Sequence, residues 1–209
     1  PAKRPIRFRL VGSERLRRDF ARDLERDADS GQMARRKRYW ATLGLVPWDL
    51  DLHAHYKDLY SRLPAGYYAD EDSGVRVVAR DAFRSEFVEL ASLLTWRDKT
   101  YGETLAHEVV HALQDQHFDL DAVREGEGSD ASNARRALIE GDAFVAAFQY
   151  DRPLMFRDVE SFTRLMERVF RSQRRSSSST WGEEVFVFPY AHGGRFVAAL
   201  YAQGGWPAV

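Results

Sequence analysis

The chain has 209 residues, 44% of them hydrophobic and 13% aromatic, which is enough apolar material for a single core of ordinary size. Lys and Arg number 31 against 32 Asp and Glu, so the formal charge of -1 sets up no global field towards nucleic acid or an anionic membrane. Cysteine is absent, which excludes disulfides and thiolate ligands and leaves His, Asp or Glu to hold any metal. No apolar run reaches the roughly 18 residues that a membrane-spanning helix needs. The N-terminus opens no signal-peptide apolar segment, and a start at Pro1 rather than Met is compatible with a removed leader and so with an extracytoplasmic destination.

Residues 1–64 read as a helical N-terminal part of a single domain spanning 1–209. Leu16, Phe20 and Leu24 repeat at four, with Ser13 available as an N-cap. Two further helical stretches, Met33 to Leu43 and Trp48 to Leu63, are bounded by Gly44, Pro47 and Pro64. His53 and His55 sit two apart in the second of these, so on a helix they face different directions and cannot share one metal. The texture changes at Gly66-Tyr67-Tyr68-Ala69, which leads through Asp70 to Gly74 into Val75-Arg76-Val77-Val78 and reads as a β-hairpin. Val75 and Val77 alternate with Arg76, which suggests one covered and one more open face. The apolar positions between Phe83 and Trp96 fit a helical stripe better than a period of two.

Thr100 and Glu103 have the spacing of a capping box, so a helix is expected from about Thr100 through Leu113 towards Gln116. It carries His107-Glu108-Val109-Val110-His111. Residues four apart lie one turn above each other, so both imidazoles can face one ion while Glu108, about 100° further round from His107, flanks its open side. Two neutral imidazoles suit Zn²⁺, and a carboxylate that does not coordinate can take a proton from a metal-bound water.

A catalytic zinc site takes three protein ligands, so a third has to come from elsewhere. A helix from about Ala131 to Tyr150 places Glu140 on a stripe with Ala137, Ala143 and Phe144, where an unpaired carboxylate is costly and metal binding would relieve the cost. Gly141 beside it would let this helix approach the His helix closely. His117, Asp115, Asp119 and Asp121 compete as ligands, and His117, six after His111, falls on the far side of the helix. Asp115 and Asp142 could each accept the second ring N–H of a liganding histidine, although surface solvation is the plainer reading. Beyond Pro153, a helix from about Val159 to Gln173, a tetraserine connector, a short strand at Val185 to Phe188 and a helix from about Arg195 to Tyr201 complete the chain.

The segments Thr104 to Gln114 and Leu138 to Ala143 together resemble the gluzincin branch of zinc metallopeptidases, whose third ligand is a glutamate on a later helix. The resemblance covers residues 67 to 205. Tyr190-Ala191-His192-Gly193 is similar to a Tyr-x-x-Gly segment that opens a late helix in several such families. It departs from the thermolysin pattern in placing Asp142 two residues after the glutamate and Phe at 144. The resemblance implies an α+β zincin-like fold, mainly helical with a small mixed sheet, and an edge strand beside the active helix that Val75 to Val78 could supply. It implies Zn²⁺ as cofactor, a peptide or protein as substrate, His107, His111 and Glu140 as metal ligands, and Glu108 as general base. Tyr190, or else His192, would donate to the oxyanion. A non-catalytic binding module on the same fold, and a zinc hydrolase of a non-peptide amide or ester, remain open alternatives at this point.

Overall fold

The computed structural model describes residues 1–29, 31–61, 66–69, 74–78, 100–120, 123, 129–151, 160–164, 168 and 188–209. These form a mostly helical α+β arrangement around a small mixed sheet. In chain order they are strand β1 (Arg7–Val11), helices α1 (Ser13–Asp29), α2 (Gln32–Thr42) and α3 (Leu52–Ser61), strands β2 (Gly66–Ala69) and β3 (Gly74–Val78), and helices α4 (Thr100–Phe118) and α5 (Ser129–Asp151). A π-helical turn (Pro189–Gly193) runs into α6 (Gly194–Gly204), and a short 3-10 turn follows at Trp206–Ala208. None of the described helices is long and apolar enough to cross a membrane.

The hairpin expected at residues 66–78 is present as the antiparallel pair β2 and β3, with Tyr67 opposite Arg76 and Tyr68 opposite Val75. The N-terminal part, however, is not purely helical. β1 pairs in parallel with β3, Phe8 opposite Val75 and Leu10 opposite Val77, so the strand order is β1-β3-β2. This makes β3 the central strand, and the expectation that Val75 to Val78 forms an edge is corrected. Among the described strands the edges are β1 and β2. Central placement also explains why Arg76 is only 4% exposed and Val75 fully covered, where alternation had suggested one open face. The Arg76 guanidinium lies over the ring of Tyr67, 5.9 Å from its centroid, and so keeps a partner for its charge inside the sheet layer.

Two apolar clusters organise the helices. Leu24 of α1, Met33 of α2 and Leu52 of α3 pack with Trp40, Leu50 and Tyr56, and Leu16 and Leu24 realise the period-four stripe of α1. The second cluster joins Val145 and Phe148 of α5, Phe162, and Val197 and Ala198 of α6, with Phe144 and Tyr201 against it. It fixes α6 on α5, and with it the π turn that precedes α6. The helix expected from Val159 is seen at residues 160–164 and at 168. Phe188 is helical, with φ -50° and ψ -48°, and does not end a strand as expected; residues 185–187, the stripe between Phe83 and Trp96, and the tetraserine lie outside the described residues.

α4 ends where Asp119 takes a positive φ of 51°, which an aspartate tolerates better than most residues, and Leu120 turns back into the core. Its C-terminal turns are held by the start of the chain. The Gln116 amide accepts from the backbone N–H groups of Lys3 and Arg4 (2.8 and 3.1 Å) and donates to the Arg4 carbonyl (3.1 Å).

Candidate metal centre

His107 and His111 face the same way from α4, their rings edge to face with centroids 4.6 Å apart, and Glu140 reaches them from α5. The three donor atoms form a nearly equilateral triangle. His107 Nε2 lies 3.0 Å from His111 Nε2, and Glu140 Oε2 lies 3.2 and 3.3 Å from the two nitrogens. Three ligands each about 2.0–2.1 Å from a tetrahedral zinc are about 3.3 Å from one another, so the spacing of these donors is close to what such an ion would need. No other group of three or more His, Asp or Glu side chains among the described residues could hold a metal.

The charges of the three side chains act strongly on one another. Burial would lower the pKa of His111, but the hydrogen bond and charge of Glu140, aided by Glu108 and Gln114, outweigh it and hold the imidazole up at about 9. Burial pushes the other way on Glu140, yet its bonds to the two histidines keep it well below the ordinary carboxylate range. Glu108 lies one residue round the helix, 7% exposed, and belongs to neither bond. Burial raises its pKa, opposed by the two histidines and by a hydrogen bond from the backbone N–H of Tyr68 on β2.

Sequence reasoning missed Gln114. It is buried, and its Oε1 lies 2.8 Å from His111 Nδ1. The Gln114 amide donates in turn to the Ile139 carbonyl (3.0 Å) and to Asp142 Oδ2 (2.6 Å). Both of its N–H donors therefore have acceptors on α5, which orients its oxygen towards His111, favours the Nδ1–H tautomer and leaves Nε2 free to bind a metal. Asp142 is thus one bond behind the histidine and does not touch it. Its pKa is raised by burial, against the pull of Gln114. The spacing gave no signal, since an amide three after a histidine reads as ordinary helix surface. Gln114→Ala is expected to weaken zinc affinity about 10- to 100-fold, the usual cost of losing the group that orients a ligand, and Gln114→Glu to weaken it as well, since a carboxylate cannot donate to the Ile139 carbonyl or to Asp142; competition with a chelating dye measures both.

The π turn brings Tyr190 to the site. Its ring lies 5.9 Å from that of His107 and meets Phe144 edge-on at 6.2 Å, and its hydroxyl hydrogen-bonds Glu140. Burial, then the charge of Glu140, raises its pKa well above the ordinary tyrosine value, so the phenol keeps its proton and can donate it in a hydrogen bond. Two glycines permit this approach. A Cβ on Gly141 would land on the backbone of Gly193, and one on Gly193 would land on the carbonyl of Ala137. Gly141 therefore makes room for the π turn and not, as expected, for the His helix. A π-helical turn is uncommon and recurs at functional positions.

Among the described residues none of the other candidates joins the three donors. His192 is exposed and stacks on Phe188, ring centroids 4.8 Å apart. His117 is exposed and its Nε2 lies 3.0 Å from the Pro1 carbonyl. Asp115 bonds Tyr68 and Arg4, Asp119 is exposed, and Asp121 lies outside the described residues. No family model, no curated protein and no solved structure matches the chain.

Proposed function

We propose that this chain is a zincin-like metallohydrolase of gluzincin type that cleaves peptide bonds with a zinc ion held by His107, His111 and Glu140. The observation that carries the reading is the spacing of three donor atoms from two helices at 3.0–3.3 Å, with a buried carboxylate beside them that joins none of those bonds. What zinc supplies when bound is Lewis acidity at the scissile carbonyl and a lowered pKa, about 7, for a water.

The chain's own residues do the rest. Glu108, buried beside the three donors, takes the proton of the attacking water and passes it to the leaving amine. Tyr190, kept neutral by burial, turns its single O–H from Glu140 to the oxyanion as the carbonyl becomes tetrahedral. Among the described strands β2 is an edge beside α4, and an extended peptide can add to the part of that edge not already held by Glu108.

Metal content by elemental analysis of protein purified without chelator tests the first half of this reading, and a panel of denatured proteins, short peptides, and non-peptide amides and esters tests the second. Protein that turned over only the last two would move the substrate class. Tyr190→Phe is expected to leave zinc content and KM nearly unchanged and to lower kcat about 100-fold, the loss typical of one missing oxyanion donor. Steady-state kinetics alongside His192→Ala would show which side chain donates.

A further inference from the structure

We propose that Asp115 is a positioning residue for this reaction, holding the Tyr68 hydroxyl so that the Tyr68 backbone N–H stays on Glu108; the inference rests on Glu108 being the base. Tyr68 attaches to α4 at two points. Its backbone N–H donates to the Glu108 carboxylate, and its hydroxyl donates to Asp115 Oδ2 at 2.7 Å. Glu108 and Asp115 are seven residues apart, two turns or about 10 Å along one flank of the helix, so the tyrosine spans the distance between them as a staple.

The staple matters because β2 is short and has a sheet partner on one side among the described strands. Four residues paired to β3 alone are a marginal strand. The neighbouring residue shows how the other face is secured. Tyr67 points away from α4, packs against Phe20 with ring centroids 5.5 Å apart, and donates its hydroxyl to the buried Asp19 of α1, which Arg15 and Arg22 also bond. Each face of β2 is thus tied by a tyrosine hydroxyl to a carboxylate on a different helix. Of the two ties, only the one through Asp115 belongs to a residue whose backbone reaches the base. With one Glu108 oxygen held by the Tyr68 N–H, the other is left for proton transfer; a carboxylate released from that bond can rotate towards the metal ligands.

Arg4 bonds the same Asp115 oxygen at 3.2 Å; Asp115 is 16% exposed but the Arg4 side chain is 55% exposed, so solvent screens the pair from the arginine side and its contribution is small. The hydrogen bond, not the charge, is the operative contact. In the zinc-loaded protein, Asp115→Ala and Tyr68→Phe should each lower kcat about tenfold at full zinc content, and the double variant should be no slower than either single one. Asp115→Asn, which keeps an acceptor, and Arg4→Ala should stay within about twofold of wild type. Hydrogen exchange of the amides of residues 66–69 should speed up in Asp115→Ala. Wild-type kcat in Asp115→Ala or Tyr68→Phe, additive losses in the double variant, or unchanged exchange would overturn the proposal; if Asp115→Ala does not fold, Tyr68→Phe carries both readouts. Wild-type protein that binds zinc but cleaves nothing would sink the hydrolase reading instead, while exchange at residues 66–69 would still decide whether the staple exists.

Discussion

Replacing His111 with alanine is expected to abolish stoichiometric zinc, and Glu140→Ala to weaken binding severely. Each of the three donors occupies one corner of a triangle whose edges are 3.0, 3.2 and 3.3 Å, and no fourth His, Asp or Glu among the described residues joins that group. Losing His111 also strands Gln114, whose oxygen has been turned towards that ring by two bonds to α5. Zinc uptake should depend on pH in a definite sense. In the metal-free protein the His111 imidazole, with a pKa of about 9, is protonated at neutral pH, so the ion must displace a proton. Apparent affinity therefore falls as pH drops below about 9. Titration calorimetry in buffers of different ionisation enthalpy would detect the released proton. Wild-type affinity in Glu140→Ala, with loss in His117→Ala, would reassign the third ligand, although His117 is turned to the Pro1 carbonyl.

The second large effect is expected at Glu108. Glu108→Gln preserves shape and still accepts the hydrogen bond from the Tyr68 N–H, so fold and zinc content should persist. Hydrolysis should fall by several orders of magnitude, since an amide can neither take the proton from water nor return it to the amine. Zinc content and turnover measured on the same preparation separate the possibilities: if the metal is lost along with activity, Glu108 is a ligand and the proposed division of labour fails.

The convergence of His107, His111 and Glu140 could be read from the sequence because each residue announces itself locally. The histidines share a helix face by spacing, and Glu140 is a carboxylate on an otherwise apolar stripe, where a bare charge is expensive. Helix α5, the hairpin and the late helix were legible for similar reasons of period and punctuation. What was not legible depends on long-range pairing. β1 shows the alternation Arg7-Phe8-Arg9-Leu10, but over five residues that is weak beside the helical stripe that starts at Leu16, and nothing local says it pairs in parallel with residues 74–78. Its insertion beside β3 is what turned a supposed edge into the centre of the sheet. Asp115 looked like solvated surface because its partner, Tyr68, lies 47 residues away. Gly141 was correctly suspected of making room, but for the wrong neighbour.

The backbone contact between Gly141 and Gly193 also bears on how related chains would be recognised. The triad alone is a loose pattern, since two histidines at helical spacing and a distant glutamate can arise in many folds. A chain that builds this particular site must in addition bring the backbone of a late turn against the helix carrying its glutamate, and a side chain at either crossing position would hold the two apart. Kinship to this protein would therefore be written less in overall similarity than in a sparse signature: His-Glu-x-x-His, then Glu-Gly, then a tyrosine followed three residues later by glycine. Each letter of that signature answers to a contact, and a sequence that keeps the histidines but fills position 141 or 193 with a larger residue would have to place its tyrosine by some other architecture.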